Sequence, residues 1–368
     1  MDHTAGAGSP PPPVAPPSTR GRASATLAVL VALGTLLVIG ALVAAAFVRV
    51  PYVVISPGSA TPLDDAVLQV EGAPTYPHDG ELLFLTVAVS TQDPNLYRYL
   101  FARLDGDASV ERRQTVIGCA GFPETARLAR EQMDQSQDVA KTVALRRVGY
   151  TVPAEPSRVL VVGVVCDGPS RGRLELGDVV VAVDGAPVTA ADEVRPLIVA
   201  RTPGETVEFT VERDGRRETV AVPLGRRDGQ AYAGIVAQTD RRHSLPVDVR
   251  IDTARVSGPS AGLAFTLAVI DDLTPGDLTG GAAVAVTGTI AEDGAVGPVG
   301  GVAQKAVVAR EAGARLLLVP AGEVAEARAR AGGVRVVGVR TLDDALDVLT
   351  RRSGVPVGSM TAPTGAAS

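Results

Sequence analysis

Runs of apolar residues divide the chain into segments, and the first run begins close to the amino end. Residues 23–48 contain no charged side chain and lie between Arg22 and Arg49. A helix that crosses a bilayer needs about 20 apolar residues, so this run predicts a transmembrane anchor. A cleavable signal peptide is the alternative because residues 44–46 (Ala-Ala-Ala) resemble a cleavage site, although its apolar core usually spans only about 7–15 residues. Arg20 and Arg22 before the run, against Arg49 after it, favour a single pass through the cell membrane with an extracytoplasmic body.

The pattern changes on both sides of the apolar run. Residues 1–22 are rich in proline and are predicted to be disordered, and residues 352–368 are predicted to form a flexible tail. Residues 49–147 are interpreted as a membrane-proximal α/β segment. Within it, apolar residues over 81–89 predict a strand, and helical spacing over 123–149 predicts a helix.

Two larger units follow in the pattern. Residues 148–225 predict a β-rich domain with a buried strand over 159–165 and a hairpin turn at Asp184-Gly185, a pair that readily supplies positive φ. Residues 226–351 predict a domain of mixed sheet plus helices, so the fold class is α/β (α+β) and multidomain. The predicted helices and strands of this last unit are 263–270, 284–290, 302–313 and 314–320.

Composition excludes several classes of function. The net charge of -6 and the absence of tryptophan argue against nucleic-acid binding, which needs a basic face and stacking platforms. Cys119 and Cys166 lie far apart, and the three histidines have no helical partner, so neither a metal site nor a cofactor site is predicted. Whether the two cysteines pair is left open.

Lysine is almost absent from the chain. Of 35 basic residues, only Lys141 and Lys305 are lysines. Arginine stays protonated and cannot act as a base, so a retained lysine is a candidate for an amine that must lose its proton. A solvated helix position is the alternative for each of them. It is the interpretation adopted for Lys141, which is therefore expected to tolerate arginine.

A serine precedes one of the predicted helices. Ser260 lies in residues 258–262 (Gly-Pro-Ser-Ala-Gly), where unpaired amides at a helix start can stabilise an oxyanion. A simple helix cap is one alternative. A Ser-His-Asp triad with His243 and Asp252 is another, although nothing in the sequence marks that histidine.

The last third of the chain resembles the proteolytic domain of Lon proteases. That family has Gly-Pro-Ser-Ala-Gly around its nucleophile, then Thr-Gly-x-Ile, then Val-Gly-Gly and a lysine four positions later; all four elements occur here in order. The resemblance implies that Ser260 is the nucleophile, that Lys305 is its general base and that Thr287 positions the amine. Gly258, Pro259 and Ala261 would support the serine.

Two positions depart from that family's usual pattern. Ser257 stands where ATP-dependent Lon proteases usually carry aspartate, and Thr289 replaces their glutamate. Neither change is expected to remove catalysis, but both are expected to bear on oxyanion geometry or regulation.

Residues 174–188 resemble the PDZ domains attached to bacterial proteases. The shared order is leucine, Gly-Asp, an aliphatic strand and an Asp-Gly turn. The resemblance implies capture of an extended peptide ligand, with residues 147–150 at the position of the loop that binds the peptide carboxylate. Pro153 and Pro156 follow closely, and proline interrupts the strand ladder that a peptide must join.

No phosphate-binding loop is present, because neither lysine follows a glycine. Over about residues 51–350, including 133–137, the chain resembles membrane-anchored Lon-like proteases of actinobacteria that carry PDZ and Lon modules. The resemblance implies an ATP-independent serine endopeptidase that acts on unfolded or flexible polypeptides and forms a homo-oligomer. A catalytically silent scaffold and a self-processing protein remain the alternatives.

Overall fold

The computed structural model describes residues 20–118, 121–253 and 256–354. The predicted tails lie largely outside these ranges, as does Cys119. The helices are α1 Arg20–Phe47, α2 Leu96–Leu104, α3 Arg113–Ile117, α4 Phe122–Arg147, α5 Ala191–Val199, α6 Gly262–Leu273, α7 Val302–Glu311, α8 Val324–Arg328 and α9 Leu342–Ser353. The strands are β1 Tyr52–Pro62, β2 Leu68–Glu71, β3 Glu81–Val89, β4 Ser109–Arg112, β5 Ala154–Val164, β6 Val179–Val183, β7 Ala186–Pro187, β8 Thr206–Arg213, β9 Arg216–Pro223, β10 Gly225–Arg227, β11 Gln230–Tyr232, β12 Ile235–His243, β13 Asp248–Ile251, β14 Ala283–Val286, β15 Thr289–Ile290, β16 Val296–Gly297, β17 Leu316–Pro320 and β18 Arg335–Val339.

Helix α1 is the apolar run seen in the sequence. Its segment Leu27–Phe47 has a mean hydropathy of 2.8 over 21 residues, and none of it is buried against the other described residues. At 1.5 Å per residue this segment is about 32 Å long, which matches the hydrocarbon core of a bilayer. A membrane span and a signal sequence both have these features.

The largest sheet is built from two distant parts of the chain. Its strand order is β18-β17-β14-β3-β1-β4, with β14 parallel to both β3 and β17. Residues 49–147 therefore supply three strands to the sheet that the carboxyl-terminal unit completes, although the sequence pattern treated them as a separate segment. The physical reason lies in β3, where four consecutive residues from Leu82 to Leu85 are buried. A strand with such a continuous apolar run needs cover on both faces.

Both faces of β3 are covered. Leu82 and Phe84 belong to the core on the side of α4 and α6, whereas Leu83 and Leu85 belong to the core on the side of α7. The ring of Phe84 meets the ring of Phe265 edge-on, with centroids 5.6 Å apart. This packing brings α6 and α7 to the same sheet, one on each side.

The second sheet has the strand order β12-β5-β6-β8-β9, with β7 paired to β6. The predicted hairpin turn is confirmed, because Asp184 has φ 47° and Gly185 has φ 76°. The sheet also includes β12, which lies beyond residue 225, where the sequence pattern placed the end of this unit. Val159, Val161 and Phe209 are fully buried in its core.

Helix α4 joins the two units. It ends at Arg147, and Gly149 follows with φ 102°. The end of the helix therefore lies within two residues of the predicted one. The half-buried Arg127 side chain donates hydrogen bonds to Leu176 O and Glu175 Oε2 of the second unit. Further along, the same helix packs against α6. Helix α4 is therefore in contact with both sheets.

Candidate active site

Ser260 lies in a tight turn directly before α6. Gly258 has φ 96°, a conformation that favours glycine, and residues Pro259–Ala261 form one turn of 3₁₀ helix that leads into α6. Two bonds from α4 hold this turn. The Gly258 amide donates to Ala129 O at 2.8 Å, and Ser136 Oγ donates to Pro259 O at 3.0 Å.

Lys305 lies on α7, on the opposite face of the large sheet from α6, and its side chain reaches Ser260. Its Nζ lies 2.7 Å from Ser260 Oγ and 3.0 Å from Thr287 Oγ1. Thr287 in turn donates to Ser260 O at 3.2 Å, and the Gly288 amide donates to the same carbonyl at 2.9 Å. Thr287 therefore contacts both the amine and the backbone of the serine, so the three residues form one hydrogen-bonded group.

Helix α7 begins in a way that carries Lys305 inward. Gly301 precedes the helix with φ 66°, and a Cβ there would approach Val87 Cγ1 to 2.9 Å. The Lys305 amide donates to Gly301 O at 3.0 Å, which places the lysine one turn into the helix. Its neighbours Val302 and Ala306 are buried in the apolar core, so the lysine side chain points into a dry environment.

Burial changes the acidity of this lysine. Lys305 is only 1% exposed, and desolvation lowers its pKa from 10.5 to about 8. The negative charge of Glu323 opposes this shift and raises the pKa of Lys305. Glu323 accepts a hydrogen bond from the Val299 amide at 2.9 Å through Oε1, and desolvation raises its own pKa. An amine with a pKa near 8 supplies an appreciable neutral fraction close to neutral pH, as a general base requires.

The sequence-predicted residues meet at one site. Ser260, Thr287 and Lys305 are brought together, and Gly258, Pro259 and Ala261 form the turn that presents the serine. Their catalytic roles stay predictions.

Sequence reasoning assigned no role to three further residues around this group, Ala129, Ser136 and Glu323. Ser136 and Ala129 lie more than 120 positions from the serine turn they bind, so no local pattern links them. Glu323 follows a buried strand, β17, at the edge where the lysine amine lies. A polar residue at a strand end was the available signal.

Among the described residues, the histidine of the alternative triad lies against a glutamate. His243 is almost fully buried, and its Nε2 lies 3.4 Å from Glu292 Oε2. The hydroxyl of Ser260 accepts a hydrogen bond from Lys305 instead. The arrangement therefore favours lysine over histidine as the partner of the serine.

The prediction that Lys141 is solvated is wrong. Its side chain is 13% exposed on α4, and burial lowers its pKa. Its Nζ lies 3.9 Å from Asp138 Oδ1. The helix pattern identified the helix correctly, but the fold brings β13 close to this position, where the charge of Asp248 raises the pKa of Lys141 against the effect of burial.

A cleft of about 520 Å³ lies in the second unit between α5 and the strands β11 and β12. Tyr232 and Gly234 are among the residues that line it, and the guanidinium of Arg227 lies 5.2 Å from the centroid of the Tyr232 ring. Strand β12 is at the edge of its sheet, where an added strand can pair.

The sequence resemblance implied that residues 147–150 form the carboxylate-binding loop of this cleft, but these residues do not line it. They end α4, and Tyr150 packs against the core of the large sheet. Pro156 lies within β5 and not within β12, so it does not interrupt the strand that borders the cleft.

Two family models match the chain. Residues 134–224 match the PDZ domain model, and residues 234–348 match the model of the Lon protease (S16) C-terminal proteolytic domain. A Lon protease of Phenylobacterium zucineum (strain HLK1) is 34% identical over 139 residues, which cover 37% of this chain and 17% of that protein.

Two further proteins are similar to part of the chain. A probable periplasmic serine endoprotease DegP-like of Ectopseudomonas mendocina (strain ymp) is 33% identical over 101 residues, covering 27% of this chain and 20% of that protein. Among solved structures, the PDZ domain of an SdrC-like protein from Listeria innocua is 26% identical with a TM-score of 0.21, covering 22% of this chain and 92% of that one. The chain thus spans a fifth or less of the length of these two curated relatives.

Proposed function

Because the chain carries a PDZ domain and a Lon-type proteolytic domain, we propose that it is an ATP-independent, membrane-anchored serine endopeptidase with a Ser-Lys dyad. Ser260 is the nucleophile and Lys305 the general base. The observation that supports this most strongly is the 2.7 Å contact between Lys305 Nζ and Ser260 Oγ, with the amine buried and its pKa lowered to about 8.

The reaction begins with a neutral Lys305 amine. It takes the hydroxyl proton of Ser260 as Oγ attacks the scissile carbonyl carbon, and a tetrahedral intermediate forms. The ammonium then gives that proton to the departing amine, which leaves an ester on Ser260. Water attacks the ester while Lys305 takes its proton, and release of the carboxylate product returns the proton to Ser260. Thr287 holds the amine in line throughout by its 3.0 Å contact.

The amino end of α6 adds an electrostatic contribution. Ser260 lies in the turn that leads into this helix, where the partial positive charge of the helix end favours a developing oxyanion. The serine therefore attacks at a place already suited to the charge that forms.

The kind of substrate that we propose depends on a motif that the sequence lacks. Its sequence has no phosphate-binding loop with which to drive unfolding by ATP. Unfolded, flexible or membrane-released polypeptides are therefore the substrates, and stable domains resist cleavage. The PDZ cleft between α5 and β12 selects or gates them by pairing an extended peptide with the edge of β12. Helix α1 anchors an extracytoplasmic body to the cell membrane, and the proteolytic domains assemble as a homo-oligomer by analogy with Lon.

Turnover of casein or of a flexible fluorogenic peptide tests the proposal. Loss of turnover in both Ser260→Ala and Lys305→Ala, with unchanged chromatographic behaviour, is the expected result. Turnover that survives either substitution contradicts the dyad. Absence of turnover in the unsubstituted protein favours the scaffold alternative, and cleavage of its own chain alone favours self-processing.

A further inference from the structure

Helix α2 presents an apolar stripe to the outside of the molecule. Tyr97, Leu100, Phe101 and Leu104 recur at the spacing of one helix face, and all four are exposed, Phe101 by 74% and Leu104 by 87%. On the opposite side of the helix, Ala102 is buried against the body. The helix is therefore attached by one face and leaves a largely exposed apolar face, which meets α1 only at Tyr97 among the contacts of the described residues. Such a face on a folded body marks an interaction surface.

This face lies beside the end of the candidate membrane span. The Leu96 amide donates to Val48 O at 3.0 Å, and the Tyr97 hydroxyl donates to Leu42 O. Leu42 lies five residues before Phe47, which is about 7.5 Å along the helix axis. Tyr97 is thus level with the last turns of the span, at the depth where tyrosine rings are enriched at membrane boundaries.

Basic side chains flank the stripe. At 100° per residue, Arg98 lies on one side of it and Arg103 on the other, and both side chains are exposed. Arg49, at the end of the span, donates to Asp93 O at 2.9 Å, just before the helix. An apolar face bordered by arginines fits a bilayer surface with anionic headgroups better than it fits a purely apolar protein groove.

We propose that α2 is an interfacial helix, whose apolar stripe inserts into the headgroup region of the bilayer and whose arginines contact anionic lipid headgroups. The proposal rests on the membrane anchoring by α1 proposed above. It adds a second attachment point next to the first. Because α2 packs on β1 and β4, two attachments fix the large sheet, and with it the Ser260 site, at one orientation to the membrane.

The absence of tryptophan from the sequence allows a direct test. Phe101→Trp is introduced into the full chain, which is reconstituted in vesicles of phosphatidylcholine and phosphatidylglycerol. Leu104→Trp serves as a second reporter of the same face. The control is Arg335→Trp on β18, at the opposite edge of the large sheet, where five strand spacings place it roughly 24 Å from β4. Lipids brominated at different depths of the acyl chain quench a tryptophan that lies among them.

The expected result is an emission shift to shorter wavelength and strong quenching by shallow bromines for Phe101→Trp and Leu104→Trp, with neither effect for Arg335→Trp. Emission like that of the control, in protein that resists alkaline extraction from the vesicles, overturns the interfacial helix while leaving the anchor intact. Protein released by alkaline extraction contradicts the anchor itself. A concentration-dependent shift without quenching by any brominated lipid assigns the face to a second copy of the chain and also overturns the proposal.

Discussion

Peptide turnover is expected to rise with pH through the pKa of the Lys305 ammonium. The base must be neutral to act, and desolvation lowers its pKa to about 8. At pH 7 about one amine in eleven is then neutral, and at pH 9 about ten in eleven, so turnover increases about tenfold between these values. An unperturbed lysine would still be almost wholly charged at pH 9 and would show no plateau there.

Removing the charge of Glu323 perturbs this titration in a known direction. Glu323 raises the pKa of Lys305, so Glu323→Gln is expected to move the midpoint of the profile to lower pH. Turnover at pH 7 then increases, but by no more than about elevenfold, because the neutral fraction cannot exceed one. Glu326→Gln is the matched control, since Glu326 is an exposed carboxylate three residues further on.

The assay is steady-state hydrolysis of a flexible fluorogenic peptide from pH 6 to pH 10 at constant ionic strength, with kcat and KM determined separately. If the base acts in the enzyme–substrate complex, the pH dependence of kcat shows this midpoint. A rate that stays constant between pH 7 and pH 9 refutes the lysine base. A midpoint that moves to higher pH in Glu323→Gln, or equally far in Glu326→Gln, refutes the assigned electrostatics.

Three further substitutions test the supporting structure. Lys305→Met is expected to abolish turnover and yet to raise the thermal midpoint of unfolding at pH 7. The lowered pKa of Lys305 means that its buried charge destabilises the fold by about 3 kcal/mol below pH 8, and this cost is relieved as the pH rises towards 10.5. An unchanged thermal midpoint would contradict this reasoning. Ser136→Ala is expected to lower kcat about fivefold with little change in KM, because it removes the hydrogen bond to Pro259 O. The control is Thr142→Val on the same helix, which removes a buried hydroxyl without a partner among the described residues and is expected to leave kcat unchanged. Equal kinetic effects of the two substitutions would refute the role of Ser136 in holding the serine turn. Gly301→Ala is expected to destabilise the fold by about 1–2 kcal/mol in thermal melts because of its left-handed φ, whereas Gly300→Ala, with open space around its Cβ, is expected to be tolerated.

Local features of the fold were predictable from the sequence. The strand at β3, the helix α4 and the Asp184-Gly185 turn each depend on residues close together in the chain, and each forms as predicted. Ser260 and Lys305 were found because their surrounding motifs are specific. The hydrogen bond between Lys305 Nζ and Ser260 Oγ, however, depends on how α6 and α7 pack on opposite faces of the large sheet.

Long-range packing was not predictable in the same way. The residues of β3 indicate a buried strand, but nothing in them shows that the strand pairs with β14, which follows about 200 positions later. Lys141 was misjudged for the same reason, since its burial depends on tertiary contacts that the helix pattern does not show. The bonds from Ala129 and Ser136 to the serine turn also join residues that are far apart in sequence.

Covalent trapping at Ser260 tests the dyad most directly. The protein is incubated with a peptide β-lactone, which acylates an activated serine, and the adduct is located by mass spectrometry of proteolytic fragments. The account predicts one adduct, on Ser260, that forms faster as pH rises through about 8 and does not form in Lys305→Met. An adduct on another residue, or labelling of Ser260 at an unchanged rate in Lys305→Met, would contradict it.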